Sequence, residues 1–306
     1  MRTILITGGS GFIGSHIAQL HQGKAQVRVL DNFSTGYRAN LNGLNCEIIE
    51  GDIMDRASLR KAVKGVDSIF HLAAKVSVPE SMKDPVAYMQ ANSVGTANVL
   101  EEAANAGVRK LVLSTSSAVY GDAPEQPKEE SMRPAPISPY ALGKYDGEIL
   151  CDIYSKMGRI KTACLRYFNV FGPRQDPKSA YAAAIPIFIS KAIKGEDIPI
   201  FGDGTQTRDF VYVKEVAAAN AFMAEHDFQG VYNVGYGKTT EVGLLAKRIV
   251  AMLNSKSKIL NLAERPGDIK HSGACVAKLL STGYKHCSNF DAGLGDTIAY
   301  YSAVLR

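Results

Sequence analysis

Near its start the chain reads TILITGGSGFIGSHIAQL, residues 3–20. Thr3 to Thr7 form a short run rich in β-branched residues, which is typical of a buried parallel strand. Ser15 to Leu20 has the apolar spacing of a helix. The glycines between the two allow the backbone to approach a pyrophosphate, whose charge is stabilised at the N-terminus of the helix. Strand, glycine turn and helix in this order predict a dinucleotide site, with contacts from Gly8, Gly11, Phe12, Ile13 and Gly14.

The same alternation of strand and helix continues to about residue 170. Further strands are predicted at Gln26 to Leu30, Cys46 to Glu50, Ser68 to Leu72, Lys110 to Ser117 and Lys161 to Val170. This pattern predicts an α/β fold with a doubly wound (Rossmann) parallel sheet. The alternation then becomes irregular, as in a smaller C-terminal substrate-binding domain. We expect a dinucleotide-binding domain over residues 1–171 and a substrate domain over 172–306, with 210–235 returning to the first.

Residues at the strand ends are candidate cofactor contacts. The carboxylate of Asp31 can accept hydrogen bonds from the adenosine ribose and would repel a 2′-phosphate, which favours NAD over NADP. The alternative is that Asp31 is only a turn residue at a strand end. Asp52 could reach the adenine amine, and the small residues after the fourth strand leave room for a cofactor. The expected contacts at these strand ends are Asp31, Asn32, Asp52, Ile53, Leu72, Ala73 and Ala74.

Tyr140 and Lys144 are the candidate catalytic pair. Ser138-Pro139 before them is a helix-start signal, and residues four apart lie on one face of a helix. A phenol with a pKa of about 10 is a poor base at neutral pH, and a nearby ammonium would lower that pKa. Such a pair also occurs by chance on surface helices, so it gains weight only from the dinucleotide motif. The proline-rich segment from Tyr120 to Tyr140 is predicted to be an ordered flap beside the site.

The composition indicates a globular protein without a nucleic-acid partner. The 306 residues are 46% hydrophobic and 21% charged, with a dispersed net charge of +5 that suits an anionic substrate. No stretch approaches the roughly 18 apolar residues of a membrane span, and no signal peptide is evident. The five cysteines are odd in number and lack CxxC spacing, which predicts reduced thiols in the cytoplasm and no metal site.

With the glycine loop, Asp31, Ser116, Tyr140 and Lys144 in this order, the chain resembles the extended short-chain dehydrogenase/reductases. More narrowly, it resembles the UDP-glucose 4-epimerase group. This resemblance implies a tightly held NAD and inversion of C4 of a UDP-hexose. Tyr140 would take the proton of the 4-hydroxyl while C4 passes a hydride to the nicotinamide. A transient 4-keto sugar would then turn over in the site before the hydride returns.

The resemblance also assigns individual residues. Ser116 would hydrogen-bond the reacting oxygen, Lys144 would bond the nicotinamide ribose, and Ser272 would line the hexose C2 pocket. A small residue at this position, such as Ser272, resembles the pattern of those enzymes in the group that accept N-acetylated hexosamines. Further implied cofactor contacts are Lys75, Asn92, Ser114 and Tyr167. The other implied substrate contacts are Asn169, Ala184, Ile185, Phe201, Arg208, Arg265 and Asp268. The resemblance further implies a homodimer, packed through the helices that follow Asn92 and Tyr140.

Four other functions occur on the same fold or are compatible with it. Nucleotide-sugar 4,6-dehydratases place an Asp-Glu pair where this chain has Ser117 and Ala118, and UDP-glucuronate decarboxylases usually have Glu in place of Ala118. A UDP-glucuronate 4-epimerase shares the catalytic residues and remains open. A non-catalytic NAD-sensing regulator is disfavoured because the glycine loop and the Tyr140–Lys144 pair are intact.

Overall fold

A large parallel sheet forms the centre of the computed structural model, which describes residues 1–177, 184–264 and 269–305. The strands are β1 (Thr3–Thr7), β2 (Gln26–Asp31), β3 (Cys46–Glu50), β4 (Ser68–His71), β5 (Lys110–Ser116), β6 (Lys161–Tyr167), β7 (Asn169–Phe171), β8 (Ile198–Phe201), β9 (Thr207–Arg208), β10 (Phe210–Tyr212), β11 (Gly230–Val234), β12 (Thr240–Glu241), β13 (Ile259–Leu262) and β14 (His271–Ser272). Seven of them pair in parallel in the order β11-β6-β5-β4-β1-β2-β3. The predicted α/β fold with a doubly wound parallel sheet is confirmed.

Helices cover both faces of this sheet. They are α1 (Phe12–Leu20), α2 (Arg56–Val63), α3 (Val78–Lys83), α4 (Pro85–Met89), α5 (Gly95–Asn105), α6 (Pro139–Lys156), α7 (Ala184–Lys194), α8 (Val213–Glu225), α9 (Val242–Met252), α10 (Ala277–Ser281) and α11 (Phe290–Leu305). Side chains alternate between the faces of a strand. Ile4 and Ile6 therefore pack with α1 and α8, whereas Leu5 packs with α2, α5 and α6. Burial of apolar residues on both faces explains the continuous apolar runs in the sequence.

The strand order reverses between β1 and β4, at the centre of the sheet. In open α/β sheets, ligands bind outside the carboxyl ends of the strands at such a reversal. The glycine loop follows β1 and the Ala73-Ala74 pair follows β4, so both predicted cofactor segments border this crevice.

The smaller sheets lie beyond the carboxyl end of β6. The single strand predicted from Lys161 to Val170 is instead two strands, because Phe168 leaves the ladder and β7 then pairs with β10. The strand pairs β8–β13 and β7–β10 are parallel, and β9 lies between β12 and β14. A separate apolar core from α7, α9 and α11 packs around these strands, with Phe171 and Leu294 fully buried.

The helical stretch that contains Asn92 is irregular. A π-helical turn spans Gln90–Val94 between α4 and α5. Such turns are frequent at functional sites because they redirect a side chain. Here the turn directs the amide of Asn92 to the backbone of Lys75, where it accepts from the N–H at 2.8 Å and donates to the carbonyl at 2.9 Å.

Two properties concern the whole described part of the chain. None of its helices has the length and apolarity needed to cross a membrane. Within the same residues, His, Cys, Asp and Glu nowhere form a group of three or more suited to a metal ion.

Candidate active site

Ser116, Tyr140 and Lys144 come together where α6 lies against the end of β5. As predicted, α6 begins with Ser138, whose hydroxyl accepts from the Ala141 N–H at 3.2 Å, followed by Pro139. Ser116 ends β5, and its hydroxyl forms a hydrogen bond with the Tyr140 phenol. One helical turn further along, the Lys144 ammonium donates to the Ser114 carbonyl at 3.0 Å. The three side chains therefore form one group at the carboxyl end of the sheet.

The pKa of Tyr140 differs from the expectation. It is raised, because burial disfavours the phenolate more than the hydrogen bond from Ser116 favours it. Burial also lowers the pKa of Lys144 to about 8. The prediction of a lowered pKa for Tyr140 is wrong for the protein alone. It treated the lysine as a fixed charge beside a solvated phenol and left out desolvation.

A buried chain of hydrogen bonds supports this group from the middle of the sheet. His71 Nδ1 lies 2.7 Å from the Thr7 hydroxyl and Nε2 lies 3.1 Å from the Thr96 hydroxyl, which donates to the Asn92 carbonyl at 2.6 Å. Burial, aided by the charge of Lys144, lowers the pKa of His71 to about 3, so the ring is neutral. The sequence analysis missed His71, although a polar residue ending a buried strand was a usable signal.

The glycine loop is a tight backbone turn between β1 and α1. Gly8 has φ of +71°, and a Cβ there would lie 2.7 Å from the Ala73 nitrogen. A Cβ on Gly14 would lie 2.3 Å from the Gly8 oxygen. The first turn of α1 has no side-chain cap and no acidic residue, so its N–H groups and positive dipole end are available to an anion.

Asp31 fastens this loop to the neighbouring strand. Its carboxylate accepts from the N–H of Ser10 at 2.9 Å and from the N–H of Phe33 at 2.8 Å. Beside it, Asn32 donates to the carboxylate of Asp52 at 2.8 Å. The predicted cofactor residues at the ends of β2 and β3 are therefore close together, and Asp31 also has a structural role that the sequence analysis did not assign to it.

The other predicted cofactor residues differ in how much side chain they expose. Lys75 is exposed, with its ammonium 5.7 Å from the centre of the Tyr88 ring. Ile53 is buried in the core. The hydroxyl of Tyr167 bonds the amide of Asn220, and burial raises the pKa of Tyr167 to about 12. The half-buried residues are Phe12, Ile13, Leu72, Ala73 and Ala74.

A buried ion pair lies directly behind the catalytic group. Glu148, one turn after Lys144, accepts from Arg166 Nε at 2.9 Å and Nη2 at 2.6 Å, and from the Thr115 hydroxyl at 2.8 Å. Although burial by itself lowers the pKa of Arg166, the bonds to Glu148 and its charge outweigh burial and raise it. The Arg166 guanidinium also stacks 4.6 Å from the centre of the Tyr120 ring. The signals missed in the sequence were a glutamate four residues after Lys144 and an arginine inside an apolar strand.

Three of the predicted substrate residues meet around the backbone of Asp209. Arg208 on β9 and Ser272 on β14 are register partners, and Asp209 N–H donates to the Ser272 carbonyl at 2.9 Å. Asn169 N–H donates to the Asp209 carbonyl at 3.0 Å. The Arg208 guanidinium donates to the carbonyls of Thr207 and Lys270 at 2.9 and 3.1 Å.

The remaining predicted substrate residues differ in their burial and in which of their atoms could face a ligand. Ala184 begins α7 and is half-buried, whereas the Ile185 side chain is fully buried in the core, so only its backbone could face a ligand. Phe201 ends β8, and its carbonyl accepts from the Gln206 amide at 2.8 Å. Arg265 and Asp268 lie outside the described residues.

Comparison with known proteins identifies the family. The model of the NAD dependent epimerase/dehydratase family matches residues 4–235. The chain belongs to this family. The resemblance inferred from the sequence is thereby confirmed, and so is the expected cofactor, NAD.

Among solved structures, two epimerases superpose on nearly the whole chain. The UDP-N-acetylglucosamine 4-epimerase of Methanobrevibacter ruminantium, in complex with UDP-N-acetylmuramic acid, is 42% identical, with a TM-score of 0.96 over 99% of both chains. The UDP-glucose 4-epimerase of Thermotoga maritima, with UDP-glucose, is 34% identical, with a TM-score of 0.95 over 99% of this chain and 100% of that one. UDP-glucuronic acid decarboxylase 1 of Xenopus tropicalis is 32% identical over 100% of this chain and 73% of its own length. The chain is thus similar to UDP-sugar epimerases and to a UDP-sugar decarboxylase.

Proposed function

We propose that this protein is an NAD-dependent 4-epimerase of UDP-hexoses. It would interconvert UDP-glucose with UDP-galactose, and UDP-N-acetylglucosamine with UDP-N-acetylgalactosamine. The observation that carries the proposal is the hydrogen-bonded pair of Ser116 and Tyr140 at the end of β5, with Lys144 one turn away on α6. A phenol in this position can exchange a proton with a sugar hydroxyl.

The residues after Ser116 favour epimerisation over loss of water or carbon dioxide. Ser117 and Ala118 begin a 3-10 turn, and neither has an ionisable side chain. A dehydratase or decarboxylase resembling this chain would need an acidic residue there for its additional proton transfer. The similarity to a decarboxylase therefore concerns the fold and the cofactor site more than the reaction.

The residues around the glycine loop fit NAD. The backbone turn at Gly8, Gly11 and Gly14 and the uncapped start of α1 suit its pyrophosphate. The Ser10 hydroxyl is buried in this loop without a hydrogen-bond partner. Asp31 would bind the adenosine ribose and exclude a 2′-phosphate, while Lys144 would bond the nicotinamide ribose.

The proposed chemistry uses Tyr140 as the group that takes and returns the proton of the 4-hydroxyl, with its phenolate favoured by the positive charges of Lys144 and of a bound nicotinamide, which would oppose burial. Ser116 orients the reacting oxygen and lowers the pKa of the phenol, in opposition to burial. Lys144 adds a positive charge on the same helix face, and this charge is mainly retained below pH 8. When bound, NAD would accept the hydride from C4 of the sugar and return it to the 4-keto intermediate.

The substrate would extend from this group towards β9 and β14. Arg208 would bind the diphosphate, since a guanidinium matches phosphate geometry, and Asn169 lies on the path between β5 and β9. Ser272 would line the C2 side of the hexose. Because serine is small, we propose that the pocket admits a 2-acetamido group.

We also infer a homodimer in the cytoplasm. The outward face of α6 exposes Leu142, Ile149 and Ile153, and the neighbouring Val86 and Val94 are exposed as well. An apolar patch on helices next to the active site suits a second copy of the chain. The five cysteines are free, including the buried Cys151 and Cys164, which suits a reducing compartment.

Parallel incubation with UDP-glucose, UDP-N-acetylglucosamine and UDP-glucuronate tests the substrate. We expect both neutral substrates to be inverted at C4 without added reductant, and denatured protein to release NAD. Ser272→Tyr should selectively abolish activity on the acetylated pair. Turnover of UDP-glucuronate alone would contradict the proposal and favour the uronate epimerase. Equal loss of both neutral activities in Ser272→Tyr would contradict the assignment of the pocket.

A further inference from the structure

The proline-rich segment between Ser116 and Tyr140 docks on the strand that holds Ser272. Lys128, which is buried, donates from its N–H to the Gly273 carbonyl at 2.8 Å and accepts from the Cys275 N–H at 2.9 Å. The Asn233 amide donates to the Lys128 and Cys275 carbonyls at 2.8 and 3.1 Å. The segment thus extends the β9–β14 pair on its other edge.

From these contacts we infer that Gln126 is a positioning residue for substrate specificity, acting on the C2 pocket through the backbone on both sides of Ser272. The inference rests on the proposed function. It extends that function by placing part of the control of the sugar pocket in the segment that joins two catalytic residues.

Gln126 holds this backbone with both ends of its side-chain amide. Its Nε2 donates to the His271 carbonyl at 2.8 Å, and its Oε1 accepts from the Gly273 N–H at 3.0 Å. Both groups point away from β9, as does the Gly273 carbonyl that binds Lys128, because backbone groups alternate between the two edges of a strand. Pro127 has no N–H, so the Gln126 side chain provides the polar contacts at this place on the edge.

The opposite edge of β14 is held by β9. The Ser272 carbonyl accepts from the Asp209 N–H at 2.9 Å, and the Lys270 carbonyl accepts from the Thr207 N–H at 3.0 Å. Ser272 is therefore fixed from both sides, by the strand with Arg208 on one edge and by Gln126 on the other. Loss of the Gln126 contacts would loosen this edge at the His271 carbonyl and the Gly273 N–H, while Lys128 still binds the Gly273 carbonyl and Arg208 stays in place.

This arrangement predicts an effect on the sugar and not on the nucleotide. The hydroxyl at C2 of UDP-glucose is small and tolerates a displaced Ser272. The bulkier acetamido group of UDP-N-acetylglucosamine fills the pocket, so its binding depends on where that backbone lies.

The chain offers a matched control in Gln22. Its side-chain amide also bridges two backbone groups, donating to the Ala18 carbonyl at 2.9 Å and accepting from the Asn45 N–H at 2.8 Å. Gln22 follows α1, near the amino ends of the parallel strands and therefore far from the site.

The test compares Gln126→Met, Gln126→Glu and Gln22→Met with the wild-type enzyme. For each protein, kcat and KM are measured with UDP-glucose and with UDP-N-acetylglucosamine, and the Kd of UDP is measured by calorimetry. In Gln126→Met we expect kcat/KM for the acetylated substrate, relative to UDP-glucose, to fall about 3- to 10-fold, mainly through KM, as for one or two lost hydrogen bonds. Gln126→Glu keeps the acceptor for Gly273 and should lie between Gln126→Met and wild type. Gln22→Met should leave the ratio unchanged, and the Kd of UDP should stay the same in all variants.

An unchanged ratio in Gln126→Met, with wild type active on both sugars, would overturn this inference and leave the proposed function intact. Equal weakening of both sugars and of UDP would also overturn it, since Gln126 would then only stabilise the segment. A wild-type enzyme inactive on both sugars would overturn the proposed function and this inference together.

Discussion

Two consecutive turns of α6 bury opposite charges in different ways. Lys144 is 7% exposed, and the structure gives its ammonium one hydrogen bond, to the Ser114 carbonyl. Glu148 is 4% exposed, but its carboxylate has Arg166 as an ion-pair partner and Thr115 as a further donor. Burial lowers the pKa of Lys144 to about 8, so its charge lowers the stability of the protein at neutral pH. The charge of Glu148 is compensated.

The difference separates a functional charge from a structural one. An uncompensated lysine costs stability but remains able to respond to a substrate and a cofactor. A glutamate closed between an arginine and a threonine holds the helix against the end of the sheet. The turn with Lys144 should therefore determine the rate of turnover. The turn with Glu148 should determine where the turn with Lys144 lies.

The largest effect is expected for Tyr140→Phe. The variant cannot exchange the proton of the 4-hydroxyl, so turnover should fall by about 10²–10⁴-fold. Its midpoint of urea unfolding should stay close to wild type, because only one hydroxyl is lost. A steady-state assay and a urea titration check both statements. Near wild-type turnover would show that the catalytic turn has been misassigned.

Arg166→Met is expected to affect stability most. It leaves Glu148 buried without its cation, which typically costs about 3–5 kcal/mol. Urea unfolding measures this loss. As a control, combining Arg166→Met with Glu148→Gln should recover part of the loss, because no unpaired charge then remains. If the single variant were as stable as wild type, the contrast between the two turns would be lost.

Lys144→Met should move activity and stability in opposite directions. Turnover should fall, while the free energy of unfolding at pH 7 should rise by about 3 kcal/mol, since a buried ammonium whose pKa is lowered from 10.5 to about 8 is removed. The pKa of this lysine is lower in the folded than in the unfolded protein, so the cost is complete below about pH 8. It decreases as the pH rises towards the unfolded value. Unfolding of both proteins at pH 6.5 and pH 9.5 should show that the difference in their free energies of unfolding is smaller at the higher pH. A constant difference would contradict the lowered pKa of Lys144.

The smallest effect is expected for Thr115→Val. This change keeps the shape of the side chain and removes only the hydrogen bond to Glu148, at a cost of about 1 kcal/mol. Because Thr115 lies between Ser114 and Ser116, turnover should fall slightly while KM stays constant. A change in KM without a change in turnover would argue that the ion pair positions the substrate and not the catalytic group.

Local patterns predicted much of the fold and of the candidate site. The run Thr3–Thr7 and the glycines after it predicted the strand, the turn and α1, because residue spacing and the left-handed φ of Gly8 are local properties. Ser138-Pro139 predicted the start of α6 because a helix cap is also a local contact. The split of Lys161–Val170 into β6 and β7 was not predictable, since it depends on pairing with β10, about 40 residues away. The contacts of Arg166 with Glu148, and of Gln126 with residues 271 and 273, likewise join distant segments.

By itself, the sequence determined the α/β fold and the placing of Tyr140 and Lys144 on one helix face, because these follow from residue spacing along the chain. Its motifs also carried the resemblance that implied the family and NAD. Only the tertiary structure decided the protonation preferences of Tyr140 and Lys144, the pairing of Glu148 with Arg166 and the docking of the proline-rich segment on β14. Burial and long-range contacts set these properties, and both arise when distant segments exclude water together.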